Sequence, residues 1–213
     1  LAGETGSKIN GKTAGELAEK VLLTDSTNVE AMKIQVNDFV SRKKWSEAYK
    51  ASSALVKIKD IPAECIFTHI DVCLASGKNS EAWDIVSSLY EKNPKNEAVL
   101  QNYIKVLVAS DRRSEASQLI EQNLSGASSK MKSFFYYERS FLQKNENAVM
   151  VDLRSSLTAN PRNKDALFRL YQIYFNKKEY RKAQYYLKQV VAISPADESL
   201  LLLNAELETL LSK

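Results

Sequence analysis

One histidine, His69, and two cysteines, Cys65 and Cys73, are all that this 213-residue chain offers of two residue types favoured for nucleophilic catalysis and soft-metal binding. A single imidazole supports no convincing nucleophile triad. A metal site normally takes three or four ligands, and His69 with Cys65 and Cys73 does not make such a set. No catalytic residue, metal or cofactor is therefore expected, and His69 reads as a core or interface residue. The cysteines lie eight residues apart in one expected helix, which separates their Cα atoms by ~12 Å. A disulfide needs less than about 7 Å. They read as unpaired, buried thiols, which leaves the redox compartment open.

Long apolar runs are also missing. The stretch Leu200–Leu203 falls far short of the ~20 residues that span a bilayer. The opening residues LAGETGSKING are polar and glycine-rich, unlike a signal peptide. The chain begins with Leu1 rather than Met, so it reads as a processed or trimmed piece of something longer, and its localisation stays unassigned. The net charge of +4 is mild and by itself calls for neither a nucleic-acid nor a membrane partner. With 44% hydrophobic and 26% charged residues, the composition is that of a folded domain rather than a disordered one.

Proline and glycine are sparse, and their placement is informative. The four prolines are Pro62, Pro94, Pro161 and Pro195; the last two are 34 residues apart, and Pro94 and Pro161 are 67 apart. Proline interrupts helices, so these positions read as punctuation. After Gly15 only Gly77 and Gly126 remain, both at expected turns. The segments between are rich in helix-forming Ala, Leu, Lys, Glu and Gln. Small residues opening each second helix recur as Ala14, Ala48, Ala82, Ala116, Val149 and Ala183, with gaps of 34, 34, 34, 33 and 34. A repeat of this length identifies a stacked helical architecture before any other feature does.

The pattern around those positions resembles the tetratricopeptide repeat. The fifth copy shows it best, with Leu167, Leu170, Tyr171, Tyr174, Tyr180, Ala183, Leu187 and Pro195. The second offers Ile66, His69, Ile70, Cys73, Ala82, Val86 and Pro94; the fourth, with Ser133, Tyr136, Tyr137, Ser140, Val149, Leu153 and Pro161, is the weakest match. The chain departs from the family in carrying bulky Val36, Ile70, Ile104, Tyr137 and Tyr171 where a small first-helix residue is usual. The resemblance implies an all-α, right-handed superhelical solenoid of helix-turn-helix repeats with about twelve helices. Its expected layout is a flexible leader at 1–11, an N-terminal half repeat at 12–28, and five repeats at 29–62, 63–96, 97–129, 130–163 and 164–196. A C-terminal half repeat or capping helix follows at 197–213, and its many leucines point to further chain or to a second subunit.

Several local signals compete with this reading. Gly6–Thr13 matches the phosphate-loop pattern G-x-x-x-x-G-K-[ST]. That chemistry needs a preceding strand and a parallel sheet, and LAGET has no room for the strand, so nucleotide binding is not expected. Asn123-Leu124-Ser125 fits a glycosylation sequon but lies near a helix end, without a secretory context. From Arg162 to Lys188 eight basic residues face two acidic ones, with tyrosines 171, 174, 180, 185 and 186 interleaved. Such a mixture can bind single-stranded nucleic acid, although the tyrosines at repeat-core positions favour an ordinary solvated face.

In the family, first helices line the concave face. By that phase the groove residues here are Lys33, Asn37, Phe67, Asp71, Lys105, Phe134, Glu138, Phe141, Phe168, Gln172 and Phe175. Large apolar groups on one exposed surface mark binding sites. The implied function is a non-enzymatic scaffold or adaptor holding a partner peptide or helix in the groove. Lys33 and Asn37 fit part of the family's carboxylate clamp, but Ala98 and Asn102 stand where it needs a lysine and an arginine. The alternatives are a nucleic-acid-binding regulator using the basic fifth repeat and a homo-oligomer formed through the terminal helices.

Overall fold

The computed structural model describes residues 13–212. Among them it holds twelve α-helices and no strand. They are α1 (Ala14–Thr24), α2 (Val29–Ser41), α3 (Trp45–Leu55), α4 (Ala63–Ala75), α5 (Asn79–Lys92), α6 (Glu97–Ala109), α7 (Arg113–Leu124), α8 (Ser129–Leu142), α9 (Glu146–Ala159), α10 (Lys164–Asn176), α11 (Tyr180–Ile193) and α12 (Glu198–Leu211). The chain divides into two compact bodies, Leu1–Ser110 and Asp111–Lys213. Within each, every helix packs on its neighbour in the chain: α1 through α6 in the N-terminal body, α7 through α12 in the C-terminal body. In the N-terminal body α4 also touches α6. Among the described residues, each body is an all-α set of helices packed consecutively. None of the helices is long and apolar enough to cross a membrane.

The two kinds of helix start differently, and the sequence shows why. Four first helices begin at a side-chain cap: Asn28, Asn96, Ser128 and Asn163 each accept a hydrogen bond from a first-turn N–H. Second helices α3, α5, α7 and α11 emerge from tight turns with no capping side chain. The residue before each N-cap is left-handed: Lys43 (φ 54°), Gly77 (φ 70°), Asp111 (φ 56°) and Lys178 (φ 61°). In three of these turns the next N–H closes back on the first helix, Lys44 on the Phe39 carbonyl (2.8 Å), Lys78 on Cys73 (2.8 Å) and Glu179 on Tyr174 (2.9 Å). These are Schellman-like closures, and only Gly77 meets their backbone without steric cost. The fourth repeat departs: Gln143 is extended, and Asn145 caps α9 through the Ala148 N–H.

The small residues close the helix crossings. Ala48, Ala82, Ala116 and Ala183 are all 0% exposed. Two expected positions are corrected. In the fourth repeat Val149 is half-buried and its neighbour Met150 is the buried one. In the N-terminal half repeat Ala14 is half-buried while Ala18 is buried, one turn further on. A Cβ on Gly15 would come 2.5 Å from Asp38 Cγ, so α1 and α2 approach closely there. Bulky Val36, Ile70, Ile104 and Tyr171 are buried between helices, and Tyr137 is half-buried.

The weak match of the fourth repeat has a physical cause. Its apolar core comes from Met131, Phe135, Met150 and Leu153, and much of the rest is polar. Ser133 and Ser156 hydroxyls lie 3.0 Å apart, and Asn163 Nδ2 donates to both, at 2.9 and 3.0 Å. Asp152, 1% exposed, accepts from Arg139 Nη2 (2.6 Å) and Nε (3.1 Å) and from Gln143 Nε2 (2.6 Å). A buried charge is tolerable only when paired and hydrogen-bonded in this way.

The leader at 1–11 lies outside the described residues, as does all of the phosphate-loop lookalike but its last residue. That residue, Thr13, is the N-cap of α1. Its hydroxyl accepts from the Glu16 N–H (3.3 Å), and Glu16 Oε2 accepts from the Thr13 N–H (2.7 Å), forming a capping box. At the other end α12 packs on α11. It buries Leu200 and Leu207 and leaves Leu201 and Leu202 at 46% and 72% exposure.

Candidate partner-binding surface

In the N-terminal body the three charged residues of the expected groove, Lys33, Asp71 and Lys105, are each held in an ion pair. Lys33 pairs with Glu30 at 2.9 Å, a contact that raises its pKa. Asn37 is exposed, and Lys33 and Asn37 border a small cavity of about 40 Å³ shared with Glu64, Cys65 and Thr68. Phe67 is half-buried against the cluster around Ile70 and Cys73. Lys105 Nζ lies 3.0 Å from Asp71 Oδ1, so these two charges face each other across successive first helices.

In the C-terminal body the phenylalanines divide. Phe141, at the end of α8, is 39% exposed. The Arg169 guanidinium of α10 lies over its ring, 3.6 Å from the centroid, and donates to the Ser140 hydroxyl at 2.5 Å. Burial pushes the Arg169 pKa down. Tyr137 meets the same Phe141 ring edge-on at 5.2 Å. Phe134 is half-buried beside Phe135 (5.9 Å). Phe168 and Phe175 are half-buried too, folded against buried Tyr171 at 5.4 and 5.7 Å. Gln172 between them is exposed. Glu138 corrects the expectation: at 6% exposure it is enclosed rather than offered to a ligand.

Three of the eight cations of the basic fifth repeat are held in ion pairs. Lys177 is paired with Glu146, Lys182 with Glu179 (2.5 Å), and Lys164 with Asp197 (3.5 Å), while Arg169 is folded onto Phe141. Tyr171 and Tyr174 are buried, and Tyr186 stacks on Tyr174 at 5.5 Å. Arg162, Lys178, Arg181 and Lys188 remain exposed, with Tyr185 at 64%.

One cluster was absent from the sequence-based expectations. His69 is in the core at 1% exposure. Its Nδ1 is 2.8 Å from the Ser52 hydroxyl and its Nε2 is 3.1 Å from Glu81 Oε1. Tyr49 donates its hydroxyl to Glu81 Oε2 at 2.6 Å, which lowers the Glu81 pKa. Cys73, not Cys65, joins the group, with Sγ 3.5 Å from His69 Nε2. The available signal was His-x-x-x-Cys on one helix followed by an acid in the first turn of the next; nothing in the spacing alone selects Glu81 from other acids.

No family model and no curated protein matches the chain. Among solved structures, one titled "MamA RS-1 ArsTM double mutant" superposes with a TM-score of 0.47 at 11% identity, covering 80% of this chain and 97% of that one.

Proposed function

We propose that the chain is a non-catalytic scaffold that holds a segment of a partner protein against the first helices of its C-terminal body. The observation that carries this reading is Phe141: a large aromatic ring, 39% exposed, with the Arg169 guanidinium over one face and Tyr137 meeting it edge-on. A ring held in place loses little freedom when a ligand covers it, and aromatic anchors beside arginine dominate many interfaces. Half-buried Phe134, Phe168 and Phe175 widen the apolar floor, and exposed Gln172 offers an amide to a peptide backbone. The partner segment would carry at least one apolar side chain. Asn37, Phe67, Asp71, Lys33 and Lys105 belong to a second, more polar stretch on the N-terminal body, where ligands would compete with the ion pairs Lys33–Glu30 and Lys105–Asp71.

Selection of a displayed random-peptide library on the immobilised chain tests this. Enrichment of sequences sharing a spaced apolar residue is expected. Failure to enrich any sequence would count against it. A second reading, self-association through α12, is favoured by exposed Leu201 and Leu202; mass by ultracentrifugation, rising with concentration and restored to monomer by Leu202→Glu, is its test. The nucleic-acid reading is weakened by the pairing of three lysines of the fifth repeat and the folding of Arg169 onto Phe141.

A further inference from the structure

We propose that His69, Cys73 and Glu81 form a zinc site in the N-terminal body, with Ser52 and Tyr49 orienting two of the three ligands. The candidate ligand atoms come from one turn of α4 and the first turn of α5, and all lie within 4.8 Å of one another. A tetrahedral zinc ion with ordinary bond lengths sets its nitrogen and sulfur about 3.5 Å apart and its nitrogen and carboxylate oxygen about 3.3 Å apart. The corresponding separations here are 3.5 Å for Cys73 Sγ to His69 Nε2 and 3.1 Å for Nε2 to Glu81 Oε1. Sγ is also 4.0 Å from Nδ1, so the thiol lies beside the ring and must swing toward the Nε2 lone pair to bind.

The surroundings have the form of a supported metal site. A ligating histidine usually holds its other nitrogen in a hydrogen bond that fixes tautomer and ring angle; here Ser52 Oγ is 2.8 Å from Nδ1. The carboxylate is steadied by the Tyr49 hydroxyl on its second oxygen. His69 and Cys73 are closed off from solvent, while the Glu81 side chain is 39% exposed, which provides an entry path and a fourth position for water. An imidazole, a thiolate and a carboxylate together suit a borderline-soft divalent ion.

The protons balance simply. In the metal-free tautomer we assign, Nε2 donates to Glu81 and Nδ1 accepts from Ser52. With metal, Nε2 gives its lone pair to the ion and the ring proton sits on Nδ1, donated to Ser52 Oγ. The Ser52 hydroxyl then turns to the Tyr49 carbonyl, 3.2 Å away. The Cys73 thiol gives its proton to solvent. Burial pushes that thiol up to about 12, so the ion must displace a firmly held proton, and affinity rises with pH.

The test uses the whole chain, kept reduced, titrated with Co²⁺ and then Zn²⁺. Saturable uptake of one ion per chain is expected, with a thiolate-to-cobalt charge-transfer band that zinc abolishes and release of one proton per ion by calorimetry in two buffers. Cys73→Ala, a small change at a buried position, should remove the band and weaken zinc binding at least ~10-fold. Glu81→Gln, at a partly exposed position, should also weaken it, and Cys65→Ala should keep both band and affinity. No saturable uptake by the wild type at micromolar metal overturns the proposal, as does a band that survives Cys73→Ala or disappears in Cys65→Ala.

Discussion

Lys105 Nζ and Asp71 Oδ1 lie 3.0 Å apart, joining two residues separated by 34 positions in the chain. One repeat length brings equivalent sites of α4 and α6 together, which is how successive first helices stack. The side chains are 35% and 52% exposed, so water screens the pair. A double-mutant cycle of Asp71→Ala and Lys105→Ala is expected to give a coupling below about 1 kcal/mol that shrinks with added salt. A larger, salt-insensitive coupling would mean that the pair is far less solvated than the structure has it.

The left-handed turns give a second prediction. Lys43 and Lys178 occupy backbone that costs a side-chain-bearing residue about 1 kcal/mol. Lys43→Gly and Lys178→Gly should each leave stability unchanged or raise it by up to ~1 kcal/mol, since the relief is partly offset by glycine's freedom in the unfolded chain. Gly77→Ala should cost about 1 kcal/mol, purely from the backbone, because a Cβ there meets nothing within 4 Å. Denaturant midpoints measure all three.

The repeat phase was legible in the sequence because close helix crossings admit only small residues, and Ala48, Ala82, Ala116 and Ala183 obey that rule in the structure. It slipped in α1, where Ala18 rather than Ala14 is buried. Phe135 was missed because the polar positions Ser133 and Ser140 stand where other repeats have apolar ones, so the alignment offered no reason to look between them. The groove was read from phase alone, which cannot tell a ring standing in water from one folded onto its own helix. Phe168 and Phe175 lie three residues before and four after Tyr171, within reach of its ring, and they pack there. Glu81 was invisible because its partners sit on two other helices.

Overpacking the crossings should be costly. Ala82→Leu and Ala116→Leu are each expected to destabilise the protein by roughly 1–3 kcal/mol, because both sites are 0% exposed. Val149→Leu, at the half-buried equivalent, should change the melting temperature little. Equal effects at all three sites would contradict the assignment of close crossings.

The buried pair of the fourth repeat should respond asymmetrically. Arg139→Ala leaves Asp152, 1% exposed, with Gln143 as its remaining hydrogen-bond partner shown here, and should cost about 3–5 kcal/mol. Asp152→Ala should cost less, because the Arg139 side chain is 24% exposed and can turn to water. Chemical denaturation of both variants decides the order.

The most direct test of the binding account is the affinity of a library-selected peptide for Phe141→Ala, measured alongside its melting temperature. Tyr185→Ala serves as the control, since Tyr185 is 64% exposed on a second helix. Loss of an anchoring ring costs ~2 kcal/mol or more, about 30-fold in affinity. The account predicts a loss of that order for Phe141→Ala with the melting temperature nearly unchanged, and none for Tyr185→Ala. Unchanged affinity in Phe141→Ala, or a loss confined to Tyr185→Ala, would place the partner on another face and contradict it.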